Sequence, residues 1–235
     1  MHFLRVSARI AVRLGLLAAF VWAGWWLLMD PRSPLPHGWH PLKQLDVSEA
    51  PGGLTGMQLR RAVRTEGACL AALETGAVFR SLPPLEADGG CGIDPRVEVT
   101  DVAGLALAPM ETTCAAALRL AMWAEHGVKP AAEKLGAEIV FLRHQGSYNC
   151  RPIRGGTRLS THGTGEAVDV AGVTLSDGRR LELLEGWSDP GDVGVFWHEL
   201  HASACRWFVT VLGPDFNALH ADHFHMQSVG WGSCR

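Results

Sequence analysis

A chain of 235 residues, 47% hydrophobic and 19% charged, is long enough for one domain with a real core plus a tail, and this composition excludes wholesale disorder. Its formal charge of −3 and scattered arginines leave no basic stripe, so nucleic acid is not an expected partner.

The first 30 residues read as a signal anchor. Arg5, Arg9 and Arg13 precede an apolar run from Leu14 to Met29, which Asp30-Pro31-Arg32 closes. Basic residues before such a run hold the N-terminus in the cytoplasm and send the rest outward. Trp22, Trp25 and Trp26 fall at its outer end, where indole rings favour the headgroup region. A cleaved signal needs a small-x-small site, for which Val21-Trp22-Ala23 is a poor match, so an uncleaved anchor is the favoured reading.

Residues 31–55 are rich in proline and glycine and read as a tether with little structure of its own. From residue 56 to 235 the pattern is that of one mixed domain. Met57 to Leu73 has helical spacing, Gly89 to Gly92 marks a turn, and Val97 to Val102 alternates as a strand does. Thr112 or Thr113 is placed to cap a helix running to about Gly127, with Ala115, Leu118, Met122 and Trp123 on its apolar face. A short strand over Ala137–Leu142, a glycine-rich loop over Gln145–Thr164 and a strand around Ala167–Val173 follow. A second long helix falls within Gly191–Leu212, and a last short strand over Asp222–Gln227. Helices and strands in this irregular order predict an α+β fold, a small antiparallel sheet flanked by helices.

Six cysteines, Cys69, Cys91, Cys114, Cys150, Cys205 and Cys234, form no Cys-x-x-Cys pair, which argues against thiolate metal sites and redox motifs. An even number at wide spacing fits disulfides in an oxidising compartment. Spacing leaves the connectivity open. The working expectation is Cys69–Cys91 and Cys150–Cys205, with Cys114 and Cys234 as a possible third pair.

Two segments carry the chemistry: Ser160-Thr161-His162-Gly163-Thr164-Gly165-Glu166-Ala167-Val168-Asp169, and His220-Ala221-Asp222-His223-Phe224-His225. On strands, Asp169 would point away from Val168 and Val170, and His223 and His225 would share a face with Phe224 turned away. Two imidazoles and a carboxylate leave a fourth tetrahedral position open, the arrangement of catalytic zinc. His198-Glu199-Leu200-His201 lacks the spacing of the zinc-protease helix motif and reads as a solvated helix face, and Gly155-Gly156 as a turn.

At these residues the chain resembles the bacterial extensin-like C-terminal domain family. The likeness runs from about Pro41 to Arg235 and rests on Gly146-Ser147-Tyr148-Asn149-Cys150-Arg151, the Ser-x-His-x-x-Gly-x-Ala-x-Asp stretch, Gly178-Arg179 and the closing His-x-x-His-x-His. That family is similar to the superfamily of zinc D-Ala-D-Ala carboxypeptidases and penicillin-insensitive murein endopeptidase. The resemblance implies His162, Asp169 and His225 as ligands of Zn2+. It implies His223 as the group that polarises the attacking water, with His220 assisting. Arg151 is the candidate cation for the oxyanion or a substrate carboxylate. The carboxypeptidase branch keeps a Glu where this chain has Asp222, and Asp222 ranks third as a base because strand neighbours face opposite ways. The implied activity is hydrolysis of an amide bond in peptidoglycan stem peptides or cross-links, by a single-pass inner-membrane protein whose domain lies in the periplasm. The alternative is a non-catalytic, zinc-containing module that binds the cell wall or supports it.

Overall fold

The structure, a computed structural model, describes the chain from His2, with side chains from Arg9 onward; the Arg5 side chain lies outside the described residues. The chain forms two compact units, Met1–Leu45 with Glu49–Arg60, and Asp46–Ser48 with Arg61–Arg235.

The first unit opens with helix α1 (His2–Met29). Its stretch Arg9–Met29, 21 residues, is long and apolar enough to cross a membrane. A membrane anchor and a signal sequence both have this character. The tether residues carry more structure than their composition suggests. A 3-10 turn at His37–Trp39 is followed by fully buried His40, whose Nδ1 accepts from the Leu42 and Lys43 amides while Nε2–H donates to the Asp30 carbonyl. The buried Gln58 amide donates to the carbonyls of His37 and His40 at 2.7 and 2.9 Å. Proline fixes φ but leaves carbonyls free, and one buried donor gathers them.

The helix expected over Met57–Leu73 is two helices, α2 (Thr55–Ala62) and α3 (Glu66–Leu73). Thr65 takes extended backbone between them and its hydroxyl accepts from the Ala68 amide, capping α3.

The second unit holds strands β1 (Ala77–Leu82), β2 (Leu85–Glu86), β3 (Gly92–Ile93), β4 (Arg96–Val102) and β5 (Leu105–Thr113), then helices α4 (Cys114–Trp123) and α5 (Lys129–Lys134). Strands β6 (Ile139–Gly146), β7 (Ala167–Leu175) and β8 (Arg180–Glu182) follow, then α6 (Leu183–Gly186) and α7 (Asp192–Trp207), and finally β9 (Thr210–Leu212), β10 (Phe224–Gln227) and β11 (Ser233–Cys234). The fold is α+β as expected, but the sheet is neither small nor purely antiparallel. Among the described residues it has nine strands in the order β1-β4-β5-β6-β7-β10-β9-β11, with β8 on β7, and β5–β6 and β9–β11 pair in parallel. The parallel pairing of β5 and β6 follows from α4 and α5 between them, a crossover that returns the chain in the same direction.

Thr113 caps α4, its hydroxyl accepting from the Ala116 amide at 3.2 Å. The helix is apolar on nearly every side because α3, α7 and β4 all pack on it. Its one buried cation, Arg119, donates through Nη1 to the Trp207 carbonyl. Fully buried Trp197 on α7 meets Phe224 of β10 with ring centroids 5.9 Å apart. Phe224 lies opposite Val170 of β7, so α7 covers that face of the β7–β10 pair. The alternate residues, Asp169 and His225, belong to the other face.

All six cysteines are paired, in a pattern different from the expected one: Cys69–Cys114, Cys91–Cys150 and Cys205–Cys234, with Cα separations of 6.2, 5.6 and 5.7 Å. Each bond joins elements far apart in sequence that lie side by side in the fold. Cys69 on α3 meets the start of α4, Cys91 meets the loop after β6, and Cys205 on α7 meets β11.

Candidate metal centre

β7 and β10 lie side by side, with Asp169 directly opposite His225. On the other side of β7, Asp169 is opposite Gly146, which has φ +115° and no side chain to crowd it. The chain then leaves β6, and Asn149 N–H donates to the His162 carbonyl. A 3-10 turn over Thr161–Thr164, capped by the Ser160 hydroxyl, presents His162, and Gly165 in the left-handed region (φ +64°) ends it just before β7. Gly163 is needed for a different reason: a Cβ there would lie 2.6 Å from Leu159.

These elements bring together the three residues expected as ligands. His162 Nε2 is 3.1 Å from both His225 Nδ1 and Asp169 Oδ2, and His225 Nδ1 is 2.8 Å from Asp169 Oδ1. Ligand atoms on a tetrahedral zinc at about 2.0–2.1 Å stand about 3.3 Å apart, so the triangle needs only slight widening to hold one. The donor chemistry fits. His162 Nδ1–H donates to the Ser147 carbonyl at 2.6 Å, which leaves Nε2 with its lone pair towards the centre. The Gln227 amide nitrogen stands 2.8 Å from His225 Nε2; turned by half a rotation, its oxygen accepts Nε2–H and leaves Nδ1 free to ligate. Two lone pairs and a carboxylate packed this closely require a proton or a cation between them.

The titration of the metal-free cluster expresses the same requirement. Burial opposes the Asp169 carboxylate, but hydrogen bonds from His162 and His225 outweigh it and hold Asp169 well below the ordinary carboxylate range. Burial likewise opposes a charged His162, yet the bond to Asp169 and its charge raise the imidazole above its ordinary value.

Around the triangle stand the other histidines. His223 Nδ1–H donates to Asp222 Oδ1 at 2.8 Å, and its Nε2 lies 3.7 Å from Asp169 Oδ1. His220 Nδ1–H donates to Asn217 Oδ1 at 2.7 Å, and its ring centroid is 5.4 Å from that of His223 and 5.6 Å from that of His225. Burial, then the nearness of His225 and His223, lowers His220 to about 4. Arg151 is exposed on the loop that pairs with the turn before His162, its carbonyl accepting from Ser160 N–H; its charge acts on His162 without a direct bond.

A family model described as extensin-like protein C-terminus matches residues 67–235, the span that contains every one of these side chains. The chain belongs to this family. A comparison with curated proteins and one with solved structures find no match. Within this extensin-like domain, local pattern does not reveal the residues that hold the histidines, Ser147, Asn217, Asp222 and Gln227, nor Gln145, which holds Asp222. The signal for Asn217 was present, an Asn at the cap of a one-turn helix. The strand expected over Asp222–Gln227 begins only at Phe224, so Asp222 and His223 stand in a turn where their side chains meet rather than on opposite strand faces.

His198 and His201 lie outside the cluster, and the solvated helix face expected of them holds for His198 only, since His201 is half-buried against Trp187 and Phe224. Exposed His198 makes a tilted ring contact with Trp187, centroids 3.9 Å apart, and His201 Nε2–H donates to the Arg235 carbonyl. His201, Cys205 and Cys234 also lie close enough to suggest a second metal group, but the two sulfurs are bonded to each other and offer no thiolate.

Proposed function

We propose that this protein is an exported zinc-dependent peptidase that hydrolyses an amide bond in peptidoglycan stem peptides or cross-links. It acts from the periplasmic face of the inner membrane, to which α1 tethers it. The observation that carries the reading is the triangle of His162, Asp169 and His225, closed to 2.8–3.1 Å from three separate elements, with a third imidazole, His223, beside it. The family's likeness to zinc carboxypeptidases and murein endopeptidases supplies the substrate class, and the disulfides fit an oxidising compartment.

A bound zinc would supply a Lewis acid for the scissile carbonyl and bring its water's pKa towards about 7. His162, Asp169 and His225 would hold it, leaving the fourth position for water and substrate. His223, through Nε2, takes the proton of the attacking water and returns it to the leaving amine. His220 keeps Nδ1–H on Asn217 and stays neutral near pH 7, so its Nε2 is an acceptor that orients water or a substrate N–H. Arg151, exposed on the loop before His162, is the cation for the oxyanion or a peptide carboxylate.

Digestion of muropeptides with mass readout, with zinc and then with a chelator, tests the reading. Cleavage that the chelator abolishes is expected; intact muropeptides at full zinc loading refute it. The other reading, a zinc-containing wall-binding module, draws on Asp222: the carboxylate at the place of the expected Glu bonds His223 and is absent from the triangle. Retention on sacculi without any change in their mass would favour that reading.

A further inference from the structure

We propose that Asp222, steadied by Gln145, is the positioning residue that makes His223 rather than His220 the proton acceptor of this site. The inference rests on the peptidase reading for its catalytic consequence, but the positioning itself stands on geometry.

Asp222 Oδ1 accepts the Nδ1–H of His223 at 2.8 Å. A carboxylate only accepts, so this contact fixes the neutral ring as the Nδ1–H tautomer. The lone pair then sits on Nε2, the atom 3.7 Å from Asp169 Oδ1. At that distance it is beyond direct hydrogen bonding and remains free for a water or substrate proton. The second carboxylate oxygen, Oδ2, accepts from the Gln145 amide at 3.3 Å, and because a carboxylate cannot donate, the amide must present its nitrogen. Gln145 comes from the end of β6, one residue before the glycine opposite Asp169, so the strand that shapes the centre also holds the carboxylate behind His223.

His220 has the same tautomer for a weaker reason. Its Nδ1–H meets the amide oxygen of Asn217, which is also taken by the Leu219 amide. An amide oxygen orients an imidazole but does not neutralise the imidazolium that forms when the ring takes a proton. A carboxylate does both. The two rings therefore differ in what stands behind them: a carboxylate behind His223 and a neutral amide behind His220. The step balances: the water proton passes to His223 Nε2, the hydroxide oxygen bonds the carbonyl carbon, and the same proton leaves with the amine as the C–N bond breaks.

The test uses the full chain in detergent micelles, with 15N-labelled histidine. In the metal-free protein, two-bond 1H–15N correlations should show His223 protonated on Nδ1, and Asp222→Asn should shift that population towards Nε2–H. Zinc content should be unchanged in the variant. With zinc and a muropeptide substrate, Asp222→Asn should lower kcat about 10²–10⁴-fold with KM within about threefold, and Asp222→Glu should recover most of it. An unchanged tautomer, or a kcat equal to wild type, overturns the proposal. A tautomer that shifts as expected in a protein that cleaves no muropeptide supports the positioning and instead refutes the peptidase reading.

Discussion

Zinc should stabilise the folded domain, and through three side chains only. His162, Asp169 and His225 sit on the turn before β7, on β7 and on β10, and an unfolded chain does not hold these within 2.8–3.1 Å. An ion that binds the folded form alone adds about 2.7 kcal/mol at one hundred times its Kd. The second unit spans residues 46–48 and 61–235, which places it in the size class where each kcal/mol moves Tm by about 2–4 °C. Zinc at that excess should then raise Tm by about 5–11 °C, read by near-UV circular dichroism on the full chain. His162→Ala and Asp169→Ala should lose the shift. His223→Ala should keep it, because its nitrogen is 3.7 Å from the Asp169 carboxylate and outside the triangle. Equal shifts in wild type and His162→Ala would refute this geometry, and so would a shift lost in His223→Ala.

Two further outcomes concern the frame. A Cβ at Gly186 would lie 2.2 Å from Nε1 of fully buried Trp197, so Gly186→Ala should cost about 1–3 kcal/mol, seen as a lower urea midpoint; an unchanged midpoint would show that Trp197 has room to move. His126 donates Nε2–H to the Val47 carbonyl, and its pKa is lowered by burial first, then by Arg206 and Lys129, against the bond to Val47 and the charge of Glu125. A histidine with a lower pKa folded than unfolded binds fewer protons in the native state. Its contribution is therefore intact above about pH 6.5 and is lost as pH falls from there through the folded value. Stability measured against pH should fall less steeply below that point in His126→Gln than in wild type; equal slopes would exclude His126 as a source.

Local signals were sufficient for much of the frame. Thr113 before an alanine- and leucine-rich run announced α4, and the alternation around Asp169 placed β7, because capping and side-chain period are short-range properties. β5 escaped notice since Pro109 interrupts its alternation. The proline falls in the gap between the Ala106 and Met110 pairings with β4, where no ladder amide is required. The break at Thr65 was also hidden, because both halves keep helical spacing.

The histidine cluster shows where local information ends. The sequence by itself offered His162, Asp169, His220, His223 and His225 as potential ligands, and it was the family resemblance that implied His162, Asp169 and His225 among them. Only the tertiary structure decided which cysteines pair, because a disulfide needs Cα atoms about as close as the 5.6–6.2 Å found here, between segments 29–59 residues apart in sequence. Only the tertiary structure, too, put Ser147 behind His162, Asp222 behind His223 and Asn217 behind His220. A residue type states what a side chain can donate or accept; which of its atoms is left free towards the centre depends on the partner that the fold brings to its other side.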